Sequence, residues 1–214
     1  MSLSTASTRS SIENEKSRLT VVKLGGSLLD LNGLVDTLIA AIGELAFPVV
    51  VTGGGPSADL VRHWDNCGRV SQNEAHKIGI AAMSFNGLLL SRTDGRLAFV
   101  GSRSEAVEAA ARGQIPVLDV MMAIAVEQAE RPDSPEIPES WDVTSDSIAA
   151  WLAEVWHAEL WLLKSVPPGA APALHVDKWF GRASQALPGL IWVNLRASES
   201  GPVRLTLPLA AAAN

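Results

Sequence analysis

The chain of 214 residues is 47% apolar, carries a formal net charge of −6 and holds a single cysteine, Cys67. That length suits one α/β domain with a substantial core, or at most two small ones. The acidic balance argues against non-specific nucleic-acid binding, the lone cysteine excludes a disulfide framework and a cysteine-built zinc site, and no apolar run approaches the roughly 18 residues of a membrane span. A cytoplasmic domain handling a small molecule is expected.

Residues 1–18 are rich in Ser, Thr and Glu, lack the apolar stretch of a secretory signal and carry too little apolar surface for a core. They are expected to be a disordered tail, with a single domain over 19–214. Thr20-Val21-Val22-Lys23-Leu24 reads as a buried strand ended by Gly25-Gly26. Residues 27–46 then show helical spacing through Leu34, Leu38, Ala41 and Leu45, with Gly33 a weak point. Pro48-Val49-Val50-Val51-Thr52 is a second apolar strand, ended by Gly53-Gly54-Gly55 and followed by a helix to about Asn66. Ser71-Gln72-Asn73-Glu74 is a capping box, opening a mostly apolar helix to about Leu90.

Strands at Leu97–Val100 and Ile115–Leu118 flank an Ala-rich helix over 102–112. Residues 127–141, with three prolines and surplus acid, read as a loop. Asp142-Val143-Thr144-Ser145-Asp146 opens a helix to about His157, before a strand at Glu159–Lys164 and late strands at Leu190–Asn194 and 203–207. Strands alternating with helices predict a three-layer αβα sandwich around a mainly parallel sheet.

In such a sheet ligands collect beyond the carboxyl ends of the strands. Two of the chain's five lysines, Lys23 and Lys164, stand at those ends. A lysine on a buried strand costs desolvation unless it meets an anion. Gly25-Gly26 and Gly53-Gly54-Gly55 each allow close backbone approach and open a helix, whose free N–H groups and dipole favour anions. Either glycine turn alone is also what a tight strand-to-helix connection requires. Together with the two lysines they point to a site for two phosphate-like groups. Lys23 precedes its glycines, which excludes a Walker A loop, and no Gly-x-Gly-x-x-Gly follows the first strand, which excludes a dinucleotide fingerprint.

Lys23-Leu24-Gly25-Gly26-Ser27, then Gly53-Gly54-Gly55, then Val143-Thr144-Ser145-Asp146-Ser147-Ile148-Ala149 resemble, in order and spacing, the amino acid kinase family of acetylglutamate, aspartate, uridylate and isopentenyl phosphate kinases. The segments 75–83 and 141–149 are most similar to its aminomethylfuran-methyl phosphate kinase branch, which serves methanofuran biosynthesis and one-carbon metabolism. The resemblance implies ATP-dependent phosphorylation of a phosphate monoester, with Mg2+ carried by ATP. It implies Lys23, Asp146 and Lys164 as catalytic residues. It places Gly25, Gly26, Ser27, Ser165 and Gly169 on the nucleotide, and Gly53, Gly54, Gly55, Asp59 and Arg62 on the acceptor. Many members carry Thr-Asp-Val-Asp-Gly after the strand matched by Glu159–Lys164. Here Lys164-Ser165-Val166-Pro167-Pro168-Gly169 stands instead, without either carboxylate.

Two other readings remain open: a carboxylate kinase of the acetylglutamate type, and a non-catalytic nucleotide- or anion-binding protein. Asp146 also suits a purely structural place in a first helical turn, with Thr144 or Ser145 as the cap. Asp59 and Arg62, one turn apart, equally form a surface ion pair. The four histidines show no ligand spacing; His76 is expected to be an exposed or capped helix residue. Trp151, Trp156 and Trp161 read as core or subunit contacts, while Trp141 and Trp179 flank the site loops. The apolar helix after Ser71 is either central or an oligomer face, and a two-fold homo-oligomer is expected.

Overall fold

The structure, a computed structural model, describes residues 19–197 and 201–209; the tail expected at 1–18 lies outside them. Among the described residues there are seven strands and seven α-helices: β1 (Leu19–Leu24), α1 (Leu34–Ile42), β2 (Phe47–Thr52), α2 (Gly55–Asn66), α3 (Gln72–Arg92), β3 (Leu97–Val100), α4 (Arg103–Ala111), β4 (Ile115–Leu118), α5 (Val120–Glu130), α6 (Ser145–Val155), β5 (Glu159–Lys164), α7 (Phe180–Ala183), β6 (Leu190–Asn194) and β7 (Val203–Leu205). The strands form one sheet in the order β3-β4-β2-β1-β5-β6-β7, parallel except for the β6–β7 pair. No helix of the described residues is long and apolar enough to cross a membrane.

β1 is buried on both faces along its whole length and β2 over its last four residues, which is why they read as unbroken apolar runs rather than alternating ones, whereas the edge strand β7 is largely exposed. On one face Val21, Val49, Val51, Leu160, Leu162 and Trp192 meet α4, α5, α6 and α7. On the other, Val22, Leu24, Val50 and Leu163 meet Leu38 and Ile42 of α1. Burial of each such aliphatic side chain contributes about 1.5–3 kcal/mol.

Three expectations need correction. The helix read over 27–46 is broken: Gly26–Leu28 forms a 3-10 turn, and α1 begins only after Gly33, whose φ of +68° interrupts the helical path. The loop read from Glu127 begins instead at Arg131, because α5 was missed. Asp119 starts α5 by accepting from Met122 N–H at 3.2 Å, and Glu127 is drawn inward to accept the Trp156 indole N–H at 2.5 Å. The last strand ends at Leu205 and not at 207, since only Val203–Leu205 pairs with β6.

Candidate active site

From β1 outward, β2, β4 and β3 lie on one side of the sheet, while β5, β6 and β7 lie on the other. The carboxyl ends of β1 and β5 therefore flank the crevice where the strand order reverses, the place where open α/β sheets bind ligands. Alternation puts Lys23 on the same face as Val21, and Lys164 on the face of Leu160 and Leu162; α6 covers that face. The first turn of α6 brings Asp146 between them. Lys23 Nζ lies 2.8 Å from Asp146 Oδ1 and Lys164 Nζ 2.6 Å from Oδ2. Lys23, Asp146 and Lys164 are only 4%, 5% and 9% exposed.

Asp146 bridges the two lysines, and the carboxylate of Asp177 also lies near enough to act on Lys164. Burial pushes the Lys164 ammonium down, repulsion from Lys23 adds to it, and Asp146 opposes both, leaving its pKa at about 8 instead of 10.5. Burial alone would raise the Asp146 carboxyl, but the charges of Lys23 and Lys164 outweigh it and hold it below the ordinary carboxylate value. Lys164 Nζ also donates to the His175 carbonyl at 2.7 Å.

Asp177, not recognised in the sequence, fixes the turn that carries Asp146. Its Oδ2 accepts from Thr144 N–H at 3.0 Å, Thr144 Oγ at 2.8 Å and Ser147 N–H at 3.1 Å, and its Oδ1 accepts from Ser147 Oγ. Thr144 does occupy the cap position, but its hydroxyl donates to Asp177, whose carboxylate does the capping from outside the helix.

The two glycine turns interlock. A Cβ on Gly26 would sit 2.4 Å from Gly55 N, and one on Gly53 would sit 2.5 Å from Gly26 N. Gly25 N–H donates to the Leu163 carbonyl at 2.9 Å and Gly53 N–H to the Leu24 carbonyl at 2.8 Å. Those two amides tie the turns to the sheet, so the expectation that they bind phosphate oxygens narrows to Gly26, Gly54 and Gly55. Asn86 of α3, also missed in the sequence, holds the second turn: its Nδ2 donates to the carbonyls of Gly53 at 2.9 Å and Gly54 at 2.8 Å.

Above the turns opens a cavity of about 620 Å³. Gly26, Ser27, Gly54, Gly55, Asp59 and Arg62 line it, as do Ser145 and Ser165, each one residue from a member of the lysine–aspartate cluster. Ser27 Oγ and Ser165 Oγ are 2.9 Å apart and join the first glycine turn to the end of β5. Asp59 and Arg62 form the expected ion pair at 2.7 Å and both face the cavity. The Arg62 guanidinium lies 4.7 Å from the centre of the Trp141 ring, whose Nε1–H donates to Asp65 at 2.6 Å. Gly169 stands apart, in an exposed loop at φ +62° and off this wall. Arg196, which nothing in the sequence singled out, reaches from beyond β6 to the Ser27 carbonyl at 2.7 Å and pairs with Asp30, both residues lining the cavity.

The model of the amino acid kinase family matches residues 18–168, more than half of the chain. The chain belongs to the amino acid kinase family. Among solved structures, the UMP kinase from Bacillus anthracis is similar at 14% identity and a TM-score of 0.56, covering 85% of this chain and 89% of that one. The aspartate kinase from Synechocystis is similar at 16% identity and a TM-score of 0.57, covering 91% of this chain and 41% of that one. The uridylate kinase from Archaeoglobus fulgidus gives 24% identity and a TM-score of 0.48 over 69% of this chain, which spans 64% of that protein. The likenesses to the UMP kinase from Bacillus anthracis and the aspartate kinase show the fold. No curated protein sequence matches the chain.

Proposed function

We propose that this member of the family is an ATP-dependent small-molecule kinase that phosphorylates a phosphate monoester, of the aminomethylfuran-methyl phosphate type used in methanofuran biosynthesis. The observation that carries the reading is Asp146 bridging two buried lysines at the sheet's reversal point. Phosphoryl transfer asks little covalent chemistry of a protein and much positioning and charge neutralisation. Lys23 and Lys164 neutralise the oxygens of the transferring group, and Asp146 holds both ammonium groups in place. Gly26 N–H steadies the transferred phosphoryl group. Gly54 and Gly55 N–H, with Arg62, take the acceptor's own phosphate at the mouth of α2. Lys164, the last residue of β5, supplies the second cation ahead of a loop that lacks the family's usual carboxylates; Ser27 and Ser165 are assigned to the nucleotide side, and Gly169, exposed and off the cavity wall, has no contact among the described residues that supports the same role.

ATP with Mg2+ supplies the transferred phosphoryl group. The donors here, ammonium and amide N–H, suit phosphate oxygens and not a cation, so Mg2+ is expected on the nucleotide's phosphates. The branch assignment draws support from the cavity: His76, Gly79, Ile80 and Met83 from 75–83, and Trp141, Val143 and Thr144 from 141–149, line it together. Homo-oligomerisation belongs to the same proposal. Leu60 and Trp64 of α2 and Ile78, Phe85 and Leu89 of α3 expose between 44% and 61% of their surface, on two helices packed side by side. A second copy meeting this face about a two-fold axis covers it.

The test is ADP release from ATP with a panel of phosphomonoesters, including aminomethylfuran-methyl phosphate, and of carboxylates including acetylglutamate. Turnover of phosphomonoesters is expected. Turnover of carboxylates alone makes the protein a carboxylate kinase, its second glycine turn holding a carboxylate. ADP binding with no turnover of any acceptor makes it a non-catalytic nucleotide-binding protein.

A further inference from the structure

His76, expected to be exposed or capped, is neither. It sits in the second turn of α3, 3% exposed, on the wall of the cavity, and neither Nδ1 nor Nε2 has a hydrogen-bond partner among the described residues. The Val143 backbone lies close enough to act on the ring but outside hydrogen-bonding geometry. Buried polar groups in native proteins are ordinarily paired, and an unpaired one calls for a reason. An apolar residue at this position of α3 would avoid the penalty altogether.

The surroundings supply the reason. Gly79, Ile80 and Met83 continue the wall along α3, and Val143 and Ile148 also face the cavity. Gly79 is small because a Cβ there would meet the Trp141 ring at 3.1 Å, so α3 and the segment carrying Trp141 close on each other. The charged groups of the wall pair with one another, Arg62 with Asp59 and Arg196 with Asp30, and the flanking Lys77 and Glu139 form a separate ion pair at 3.0 Å. Burial disfavours the imidazolium and holds His76 below its ordinary pKa. Held in its neutral form, the ring has one N–H donor and one acceptor nitrogen, both unpartnered among the described residues, beside the apolar stretch of wall formed by Ile80, Met83, Val143 and Ile148.

We propose that His76 is a specificity-determining residue for the acceptor: its neutral imidazole hydrogen-bonds a single uncharged polar atom on a compact, otherwise apolar acceptor body, while the acceptor's anionic group is held at the Gly54–Gly55 turn. The ring turns about its own side-chain torsions to present one nitrogen to that atom. This assignment rests on the reading of the cavity as the acceptor site.

Isosteric probes test it on the full-length protein by calorimetric binding. Benzyl phosphate and the three pyridylmethyl phosphates differ only by one ring nitrogen and its position. Wild-type protein is expected to bind at least one pyridyl isomer about tenfold more tightly than benzyl phosphate. His76→Leu is expected to bind all four alike, with an unfolding temperature equal to or above that of the wild type, because an unpaired imidazole is replaced by an apolar group. His76→Asn, which keeps a donor and an acceptor, is expected to retain part of the preference, and it serves if the leucine variant fails to fold. No preference in the wild type, or a preference that survives His76→Leu, overturns the proposal. If only the carboxylate counterparts bind, the phosphomonoester reading fails, and the His76 comparison is made on the pyridinecarboxylates against benzoate with the same two outcomes. If none of these compounds binds, both readings fall.

Discussion

Lys164 keeps a charge where burial opposes it, and that tension has a pH signature. Its ammonium is protonated below about pH 8 and loses its proton as the pH rises through that value, well before an ordinary lysine at 10.5. If the cationic form neutralises the transferring group, kcat/KM, which reports the free enzyme, falls about tenfold per pH unit above roughly pH 8. Lys164→Arg holds its charge throughout this range. The alkaline limb should disappear in that variant, whatever its absolute rate, and a limb unchanged in Lys164→Arg assigns it to another group. Asp146 answers for both lysines. Asp146→Asn leaves two buried like charges without their counter-ion, and a loss of about 3–5 kcal/mol of stability is expected, read by denaturant unfolding. A stability equal to that of the wild type would mean that the cluster is solvated and not buried.

At the scale of elements, the strand-to-helix turns at Gly26 and Gly55 are one construction. A Cβ on Gly26 has no room beside the Gly55 backbone, at 2.4 Å from N and 2.7 Å from Cα, and backbone cannot yield as a flexible side chain does. Gly26→Ala should therefore disturb both turns together, lowering the unfolding temperature and weakening nucleotide and acceptor binding in the same variant. Loss of one without the other would show that the turns are independent. Asn86→Ala removes the amide that holds the Gly53 and Gly54 carbonyls. It should cost about 1–3 kcal/mol and raise the acceptor KM more than it lowers kcat. Both turns were legible in the sequence because glycine runs after apolar strands announce themselves. Asn86, Asp177 and Arg196 were not, because each acts across 30 or more residues of chain on an element it does not belong to, and no local pattern marks such a bond. The helix α5 was hidden for a related reason: its apolar residues run almost all the way round and show little one-sided pattern, and the prolines beyond it draw the eye to a loop. The break at Gly33 was visible as a weak point but not as a helix start, since a left-handed glycine looks alike in either place.

At the scale of the whole molecule, the αβα sandwich followed from the alternation of strands and helices, and the reversal between β1 and β5 places both lysines on one face of one crevice. None of the exposed apolar residues Leu60, Trp64, Ile78, Phe85 and Leu89 of α2 and α3 lines the cavity. Replacing Phe85 and Leu89 together by Glu should convert an oligomer to a monomer by analytical ultracentrifugation, with little change in unfolding temperature, since both side chains are about half exposed in one chain. An assembly unchanged by the double replacement places the contact elsewhere.

In the proposed reaction the buried lysine–aspartate cluster carries phosphoryl transfer. Its most direct test is Lys23→Met, measured for ADP release from ATP with a phosphomonoester acceptor and, in parallel, for nucleotide binding by calorimetry. Turnover is expected to fall by at least ~100-fold while the fold and nucleotide binding persist. Wild-type turnover in that variant would contradict the account.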